Sequence, residues 1–196
     1  MHQLFNRSLF KPGSVFKLIG MDPGLMRFGL SVIEVDCYTR EIVSFYSTTY
    51  YGNKLKGNKY VEESQGERLC ILRALIGELE KEFEQHSALA YAIESPFYSM
   101  SSPSAFGSLN EIVSLVKQLV INHDDSKTLS LIDPPTVKKN IGAKGNADKT
   151  IVRENILRLF SNVNNLSLLD IESLDEHSID SLAVSYSLYI NYKECL

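Results

Sequence analysis

Two acidic residues stand where apolar runs of the chain end. Asp22 follows Ile19-Gly20-Met21, and Glu94 follows Tyr91-Ala92-Ile93. Both runs are typical of strands, and ligands of open α/β sheets collect outside the carboxyl ends of strands, so we expect these carboxylates to converge on one site. A buried carboxylate is costly without a partner, and a divalent cation is one natural partner. Either acid alone would be interpreted as a turn or cap residue.

A second pair of polar residues opens the last predicted helix. His177 and Asp180 are three residues apart, which places them on the same helix face. They lie at the edge of the apolar face formed by Ile179, Leu182, Ala183, Tyr186 and Ile190. The alternative is structural: His177 or Asp175 caps the helix and Asp180 is merely solvated.

These residue types suit metal-assisted chemistry. Carboxylate oxygens are the ligands of Mg²⁺ and Mn²⁺, and an imidazole shifts the tolerance toward the transition metal. Two such ions roughly 4 Å apart can activate a water and stabilise the leaving oxygen of a phosphodiester. That chemistry needs acids from several chain positions, as found here, so the set favours phosphodiester hydrolysis.

Bulk composition sets the frame for this site. The 196 residues favour one domain, and the net charge of −4 does not by itself indicate a nucleic-acid binder. The charge is uneven, however, because residues 136–158 carry six cations against only Asp148 and Glu154. Those cations are Lys138, Lys139, Lys144, Lys149, Arg153 and Arg158.

Cysteine usage and hydropathy indicate a cytoplasmic protein. Cys37, Cys70 and Cys195 are too few and too widely spaced for a disulfide framework or a Cys-x-x-Cys metal site. No apolar run approaches the roughly 18 residues of a membrane span. The first residues lack the pattern of a secretory signal. We therefore expect no membrane association.

The elements that must position the acids follow an α/β order. Strands are predicted at residues 15–21, 29–35, 42–51, 88–93 and 129–132. Helices are predicted at about residues 69–83, 104–121, 147–160 and 177–192. Residues 1–14 look like an N-terminal extension, and residues 51–63 like a basic loop. This order predicts a five-stranded mixed sheet flanked by helices, in a single domain over residues 15–196.

The predicted helix at 104–121 carries two apolar stripes. One contains Phe106, Leu109, Val113, Val116 and Val120, and the other Ile112, Leu115 and Leu119. One stripe can face the domain's own sheet, so the other needs a second partner. We expect that partner to be a second copy of the chain.

Four segments together resemble the motifs of RuvC-type Holliday junction resolvases, in the same order. They are Gly20-Met21-Asp22-Pro23-Gly24, Ala92-Ile93-Glu94-Ser95-Pro96-Phe97, the basic stretch from Pro135 to Lys149, and Asp180-Ser181-Leu182-Ala183. They extend over nearly the whole chain. The resemblance implies the ribonuclease H-like fold and a Mg²⁺-dependent endonuclease with two ions, Mn²⁺ serving as well, that makes paired nicks in four-way DNA junctions.

The resemblance also implies roles at the matching positions. Asp22, Glu94 and Asp180 would bind metal. His177 stands where many members have a fourth acid and some have His, which leaves metal or phosphate as its ligand. Lys138 and Lys149 would stabilise the scissile phosphate, with Lys139 and Lys144 as further DNA contacts or simply solvated cations. Phe97 would stack on a base at the junction centre, with Tyr98 beside it, unless Phe97 is a core residue. Asp133 is more consistent with a cap than with a ligand.

Three other functions share parts of this pattern. A ribonuclease H-like nuclease of flaps, other branches or RNA–DNA hybrids would carry the same acids. A sugar-kinase or actin-like ATPase also has Asp-x-Gly at a strand turn. That class needs a second such loop, a late Gly-Gly motif and two lobes, which this sequence lacks. An inactive binding module of the same fold is disfavoured by the intact set of acids.

Overall fold

A mixed sheet forms the centre of the molecule. The computed structural model describes residue 11 and residues 13–97, 103–166 and 171–195. Its strands are β1 (Val15–Asp22), β2 (Arg27–Asp36), β3 (Ile42–Tyr51), β4 (Ala90–Glu94), β5 (Leu129–Ile132) and β6 (Asn164–Asn165). The helices are α1 (Lys59–Gln65), α2 (Glu67–His86), α3 (Pro103–His123), α4 (Pro134–Asn140), α5 (Lys149–Phe160) and α6 (Glu176–Cys195).

The sheet topology brings the carboxyl ends of several strands to the same edge of the sheet. The order is β5-β4-β1-β2-β3-β6. β1 pairs antiparallel with β2 and parallel with β4, and β4 pairs parallel with β5. The ends of β1, β4 and β5, the start of β2 and the end of β3 therefore lie at the same edge of the sheet. We call this the carboxyl edge.

Helices cover both faces of the sheet. One face packs against α4, α5 and α6, with Leu18, Ile33 and Phe45 in its core. The opposite face packs against α2 and α3, with Ile19, Leu30 and Tyr91 in its core. Since side chains alternate along a strand, neighbouring apolar residues of β1 and β2 serve different cores. None of the described helices is both long enough and apolar enough to cross a membrane.

The structure confirms the α/β order and corrects several details. The sheet has six strands rather than five, because the two residues of β6 pair with β3. The predicted basic loop is not a continuous loop: a 3₁₀ turn at Gly52–Lys54 and helix α1 interrupt it. Helix α4 was not predicted. Asp133, expected to cap the end of a strand, caps the start of this helix instead, its side chain accepting from the Thr136 N–H at 3.0 Å.

The second stripe of α3 was interpreted wrongly in part. Ile112 is fully buried and Leu119 is 7% exposed, both within the core formed with α2 and the sheet. Leu115 alone of that stripe is exposed, at 36%. Because α3 packs against both α2 and the sheet, most residues of both apolar stripes are buried within this chain. The extension expected at residues 1–14 falls almost wholly outside the described residues.

Candidate active site at the carboxyl edge

Strand parity directs the two strand-end acids toward the same face. Residues two apart in a strand share a face, so Asp22 follows Leu18 and Gly20, while Glu94 follows Ala90 and Ala92. Leu18, Ala90 and Ala92 all pack in the core formed with α6. Asp22 and Glu94 therefore leave adjacent strands β1 and β4 on the side where α6 begins.

The start of α6 completes the site. His177 Nδ1 lies 2.7 Å from Asp22 Oδ2, within hydrogen-bond distance. Asp180, one turn further along, lines the same pocket as Glu94. The pocket has a volume of about 220 Å³. Its lining includes Asp22, Glu94, Lys138, Lys149, His177 and Asp180, all six predicted catalytic residues.

Burial and like charge perturb the acids of this pocket. Burial, reinforced by the charges of Asp22 and Asp180, raises the pKa of Glu94 to about 8. Burial and the charge of Asp22 raise the pKa of Asp180 to about 6. The hydrogen bond to Asp22 raises the pKa of His177 despite burial. Carboxylates in such surroundings resist ionisation unless a cation compensates them.

Two lysines supply part of the compensation. Lys149, the first residue of α5, forms an ion pair with Glu176 and stands 3.9 Å from Asp180 Oδ2. Lys138 on α4 donates to the Ala147 carbonyl at 2.7 Å. Both lower the pKa of Glu94, though burial and the neighbouring acids outweigh them. The pocket therefore keeps an excess of acid.

The donor set fits a hard divalent cation in its chemistry. Three carboxylates and an imidazole from β1, β4 and α6 face one pocket, and burial together with neighbouring acids raises the pKa of Glu94 and of Asp180. Within the described ranges, no three His, Cys, Asp or Glu side chains enclose an ion as they stand.

The remaining predicted site residues lie around the pocket. Phe97 is 69% exposed just beyond Glu94, so it is a surface residue and not a core phenylalanine. Lys139 and Lys144 are exposed and do not line the pocket. Tyr98 lies outside the described residues.

Sequence reasoning missed the contacts that hold the start of α6. Asp175, one of the two caps considered, accepts from the Ser178 N–H at 2.9 Å. It also accepts from the Thr49 hydroxyl at 2.6 Å and the Tyr51 hydroxyl at 2.5 Å. The available signal was the polar series Ser47, Thr49 and Tyr51, which occupies one face of β3 where it reaches the carboxyl edge.

Close backbone approach also positions α6. A Cβ on Gly29 would stand 2.1 Å from the His177 carbonyl oxygen, and one on Gly20 2.2 Å from the Ser185 nitrogen. Between these points, the buried hydroxyl of Ser31 donates to the Ser181 carbonyl at 2.7 Å. The Ser47 hydroxyl donates to the Ser178 carbonyl at 2.9 Å. Only small side chains permit this contact, which fixes His177 relative to Asp22.

The chain is similar to a known protein in sequence. No family model matches the chain. A crossover junction endodeoxyribonuclease RuvC from Wolbachia sp. subsp. Brugia malayi (strain TRS) is 29% identical over 171 residues, covering 86% of this chain and 91% of that protein.

Solved structures share the fold at lower sequence identity. Thermus thermophilus RuvC in complex with a Holliday junction substrate superposes with a TM-score of 0.63 at 12% identity, over 91% of this chain and 96% of that one. The yeast mitochondrial Holliday junction resolvase gives 0.60 at 12% identity, over 93% and 85%. In both sequence and fold, the chain thus resembles the RuvC-type Holliday junction resolvases, with the ribonuclease H-like architecture that its motifs predicted.

Proposed function

We propose that this protein is a Holliday junction resolvase, an endonuclease that nicks two opposed strands of a four-way DNA junction. The observation that carries the proposal is the convergence of Asp22, Glu94 and Asp180, from three separate elements, on one pocket that also holds two lysines. The names of the similar proteins support the choice of substrate.

The proposed cofactor is Mg²⁺, with Mn²⁺ as a substitute and two ions per site. Asp22, Glu94, His177 and Asp180 would hold these ions. When bound, they would activate water and offset charge on the phosphate. Asp22, Glu94 and Asp180 suit hard cations, and a bound cation would offset the burial and the mutual repulsion that raise the pKa of Glu94 and of Asp180.

The chain's own residues would orient the phosphodiester. Lys138 and Lys149 face the pocket and would stabilise the negative charge that develops on the phosphate. His177, hydrogen-bonded to Asp22, would hold that carboxylate in one orientation. Hydrolysis would break the bond between phosphorus and the 3′ oxygen, leaving 5′-phosphate and 3′-hydroxyl ends.

Exposed aromatic surface beside the pocket fits a branched substrate. Phe97 follows Glu94 by three residues and is mostly exposed, so its ring is available to stack on an unpaired base. Base–aromatic stacking is worth roughly 1–3 kcal/mol, which offsets part of the cost of unpairing. Tyr98 would be a neighbouring contact, and Lys139 and Lys144 would bind backbone phosphate.

The working form would be a homodimer. A junction with two symmetric cuts calls for two symmetric active sites. An apolar groove of about 440 Å³ lies between α1, α2 and α3, lined by Tyr60, Leu69, Ile76 and Leu115 among others. Tyr60 is 76% exposed and Leu69 is 40% exposed. A second copy covering this groove would bury these exposed apolar side chains.

A substrate panel tests the proposal. Purified protein is incubated with labelled four-way junction, flap, RNA–DNA hybrid and plain duplex, with Mg²⁺ and with chelator. We expect symmetric nicks in the junction that require Mg²⁺, and little cleavage of the other substrates. Equal or faster cutting of flap or hybrid would replace the resolvase by a nuclease of broader range. No metal-dependent cutting of any substrate would refute an enzyme.

A further inference from the structure

Two groups of cations lie on opposite sides of the acidic pocket. The first group contains Lys138, Lys139, Lys144 and Lys149, on and between α4 and α5. α4 begins directly after β5, on one side of Glu94 and Asp22 in the strand order. The second group contains Arg27 at the start of β2 and Lys54 just after β3.

Register and parity bring Arg27 and Lys54 together. Gly29 of β2 pairs with Asp22 of β1 and with Thr49 of β3. Arg27 pairs with Tyr51 two residues further toward the carboxyl edge. Arg27 shares the face of Gly29, which is the face covered by α6. Lys54 Nζ lies 4.5 Å from the centroid of the Tyr51 ring. Both cations therefore stand at the carboxyl edge beside Tyr51, on the same side of the sheet as Asp22.

Neither cation has an acidic partner in the part of the chain that the structure describes. Among the described residues, no carboxylate forms an ion pair with Arg27 or Lys54, whereas Lys17, Lys59, Arg68, Lys81 and Lys127 each have one. Asp175, which also contacts Tyr51, accepts hydrogen bonds from Thr49, Tyr51 and Ser178. Both residues are exposed, so their charge is available to a ligand.

The spacing of the two groups suits a nucleic-acid backbone. The ends of β5 and β3 are separated by four strand intervals, about 19 Å at ~4.8 Å each. Each nucleotide of one B-form strand advances about 3.4 Å along the helix axis, so this distance along the axis corresponds to about five or six nucleotides. A strand whose scissile phosphate sits in the central pocket would extend over both cation groups.

We propose that Arg27 and Lys54 form a phosphate-binding strip that holds the DNA arm on the side of the pocket away from α4 and α5. This inference rests on the proposed function, because it takes branched DNA as the substrate. The strip would fix the arm across the acidic pocket, where repulsion between carboxylates and phosphates would otherwise oppose binding. Its contacts would be to the backbone and therefore independent of base sequence.

The test compares two double variants with equal loss of charge. Arg27→Ser with Lys54→Ser removes the strip. Arg40→Ser with Lys193→Ser removes two charges at the opposite edge, where Tyr189 of α6 donates to the Arg40 carbonyl and Lys193 lies 5.4 Å from the Tyr189 ring. Affinity for a labelled four-way junction is measured without divalent metal, from about 50 to 200 mM salt.

We expect the strip variant to bind more weakly. The slope of its log affinity against log salt should be less steep by about 2, because each lost phosphate contact removes roughly 0.9 from the slope. The control variant should keep the wild-type slope. Arg27→Lys with Lys54→Arg should restore it, since charge is conserved. Ethylation of phosphates on one arm should weaken wild-type binding and leave the strip variant unaffected.

Two results would overturn the inference. Wild-type slope and affinity in the strip variant would show that these cations are only solvated, and an equal loss in both double variants would show a nonspecific effect of net charge. Failure of the proposed function looks different. A wild-type protein that neither binds nor cuts the junction removes both proposals, whereas active wild type with a silent strip variant removes the strip alone.

Discussion

At the scale of single residues, the contact between His177 and Asp22 links two elements that are 155 residues apart in sequence. Its 2.7 Å length places the imidazole among the acids and not at the helix cap, which is the position of Asp175. Four polar side chains, three carboxylates and an imidazole, thus share one pocket.

Asp22→Asn, Glu94→Gln and Asp180→Asn should each abolish junction cleavage and leave junction binding largely intact. The carboxylates would hold the metal ion, while the basic side chains around the pocket would hold DNA. Cleavage and binding are measured on purified variants in a Mg²⁺ titration. Asp133→Asn, outside the pocket, serves as the control and should cut normally. Near-normal nicking by one of the three pocket variants would refute the role of that acid.

His177→Ala should lose most cleavage, and His177→Asp should keep a substantial part. Either native histidine or aspartate can provide a ligand from this face of α6, whereas alanine leaves Asp22 without its partner. The measurement is the single-turnover rate as a function of Mn²⁺ and Mg²⁺ concentration. If both variants cut like wild type, His177 has no part in the reaction.

Lys138→Ala and Lys149→Ala should lower the single-turnover rate about 10²–10³-fold, with a smaller loss of affinity. Loss of one group that stabilises transition-state charge typically has this effect. Lys144→Ala is the matched comparison, because Lys144 is exposed and outside the pocket lining. It should weaken binding without changing the rate at saturation. Parallel falls in binding and rate for the pocket lysines would make them ordinary phosphate anchors.

At the scale of elements, α6 packs so closely against β1, β2 and β3 that its backbone lies next to the backbone of the sheet. Gly20 and Gly29 leave room for it, and Ser31 and Ser47 bond to its carbonyls. The helix cannot shift along the sheet without breaking these buried hydrogen bonds. The packing therefore sets the position of His177 and Asp180 at the carboxyl edge as well as contributing to stability.

Gly29→Ala should lower both the melting temperature and the cleavage rate. The added methyl would stand 2.1 Å from the His177 carbonyl oxygen, so α6 must move. Overpacking of this kind costs about 1–3 kcal/mol, and a displacement of ~1 Å at a reacting group can cost ~10²-fold in rate. The measurements are thermal unfolding and single-turnover cleavage.

Gly77→Ala provides the matched control for that experiment. Gly77 lies within α2, and its added methyl would meet no atom within 4 Å. Alanine is the better helix former, so this variant should be as stable as wild type or slightly more so. Wild-type stability and activity in Gly29→Ala would show that α6 tolerates displacement and does not position the site.

At the scale of the whole molecule, the faces of the sheet have different partners. The face with α6 carries the site, and the opposite face is covered by α2 and α3, whose outer surface with α1 forms the apolar groove. Buried Ile112 is not part of that surface. The proposed dimer contact therefore centres on Leu69, Leu115 and Tyr60.

Leu69→Glu combined with Leu115→Glu should convert the dimer to folded monomers that bind junctions but make no paired cuts. Both side chains are partly exposed, so charge there disfavours association more than folding. Light scattering on DNA-free protein at micromolar concentration reports the mass. Ile121→Glu, at an exposed apolar residue of α3 outside the groove lining, is the control. A wild-type mass of one chain would contradict the dimer.

The sequence by itself determined the order of the main elements and the identity of the pocket residues. Local alternation and helical periodicity report whether a segment buries one face or two, so five strands and the long helices were predictable. Acids at the ends of apolar runs were recognisable because strand ends are where ligands collect. The motif order then connected Asp22, Glu94 and Asp180 before any contact was known.

Only the tertiary structure decided which side chains meet and which surface stays open. The pairing of His177 with Asp22, the anchoring of Asp175 by Thr49 and Tyr51, and the burial of Ile112 all depend on packing between distant segments. The short helices α1 and α4 and the two-residue β6 also depend on it. Their local sequence signals are weak, because elements this short are stabilised mainly by tertiary contacts.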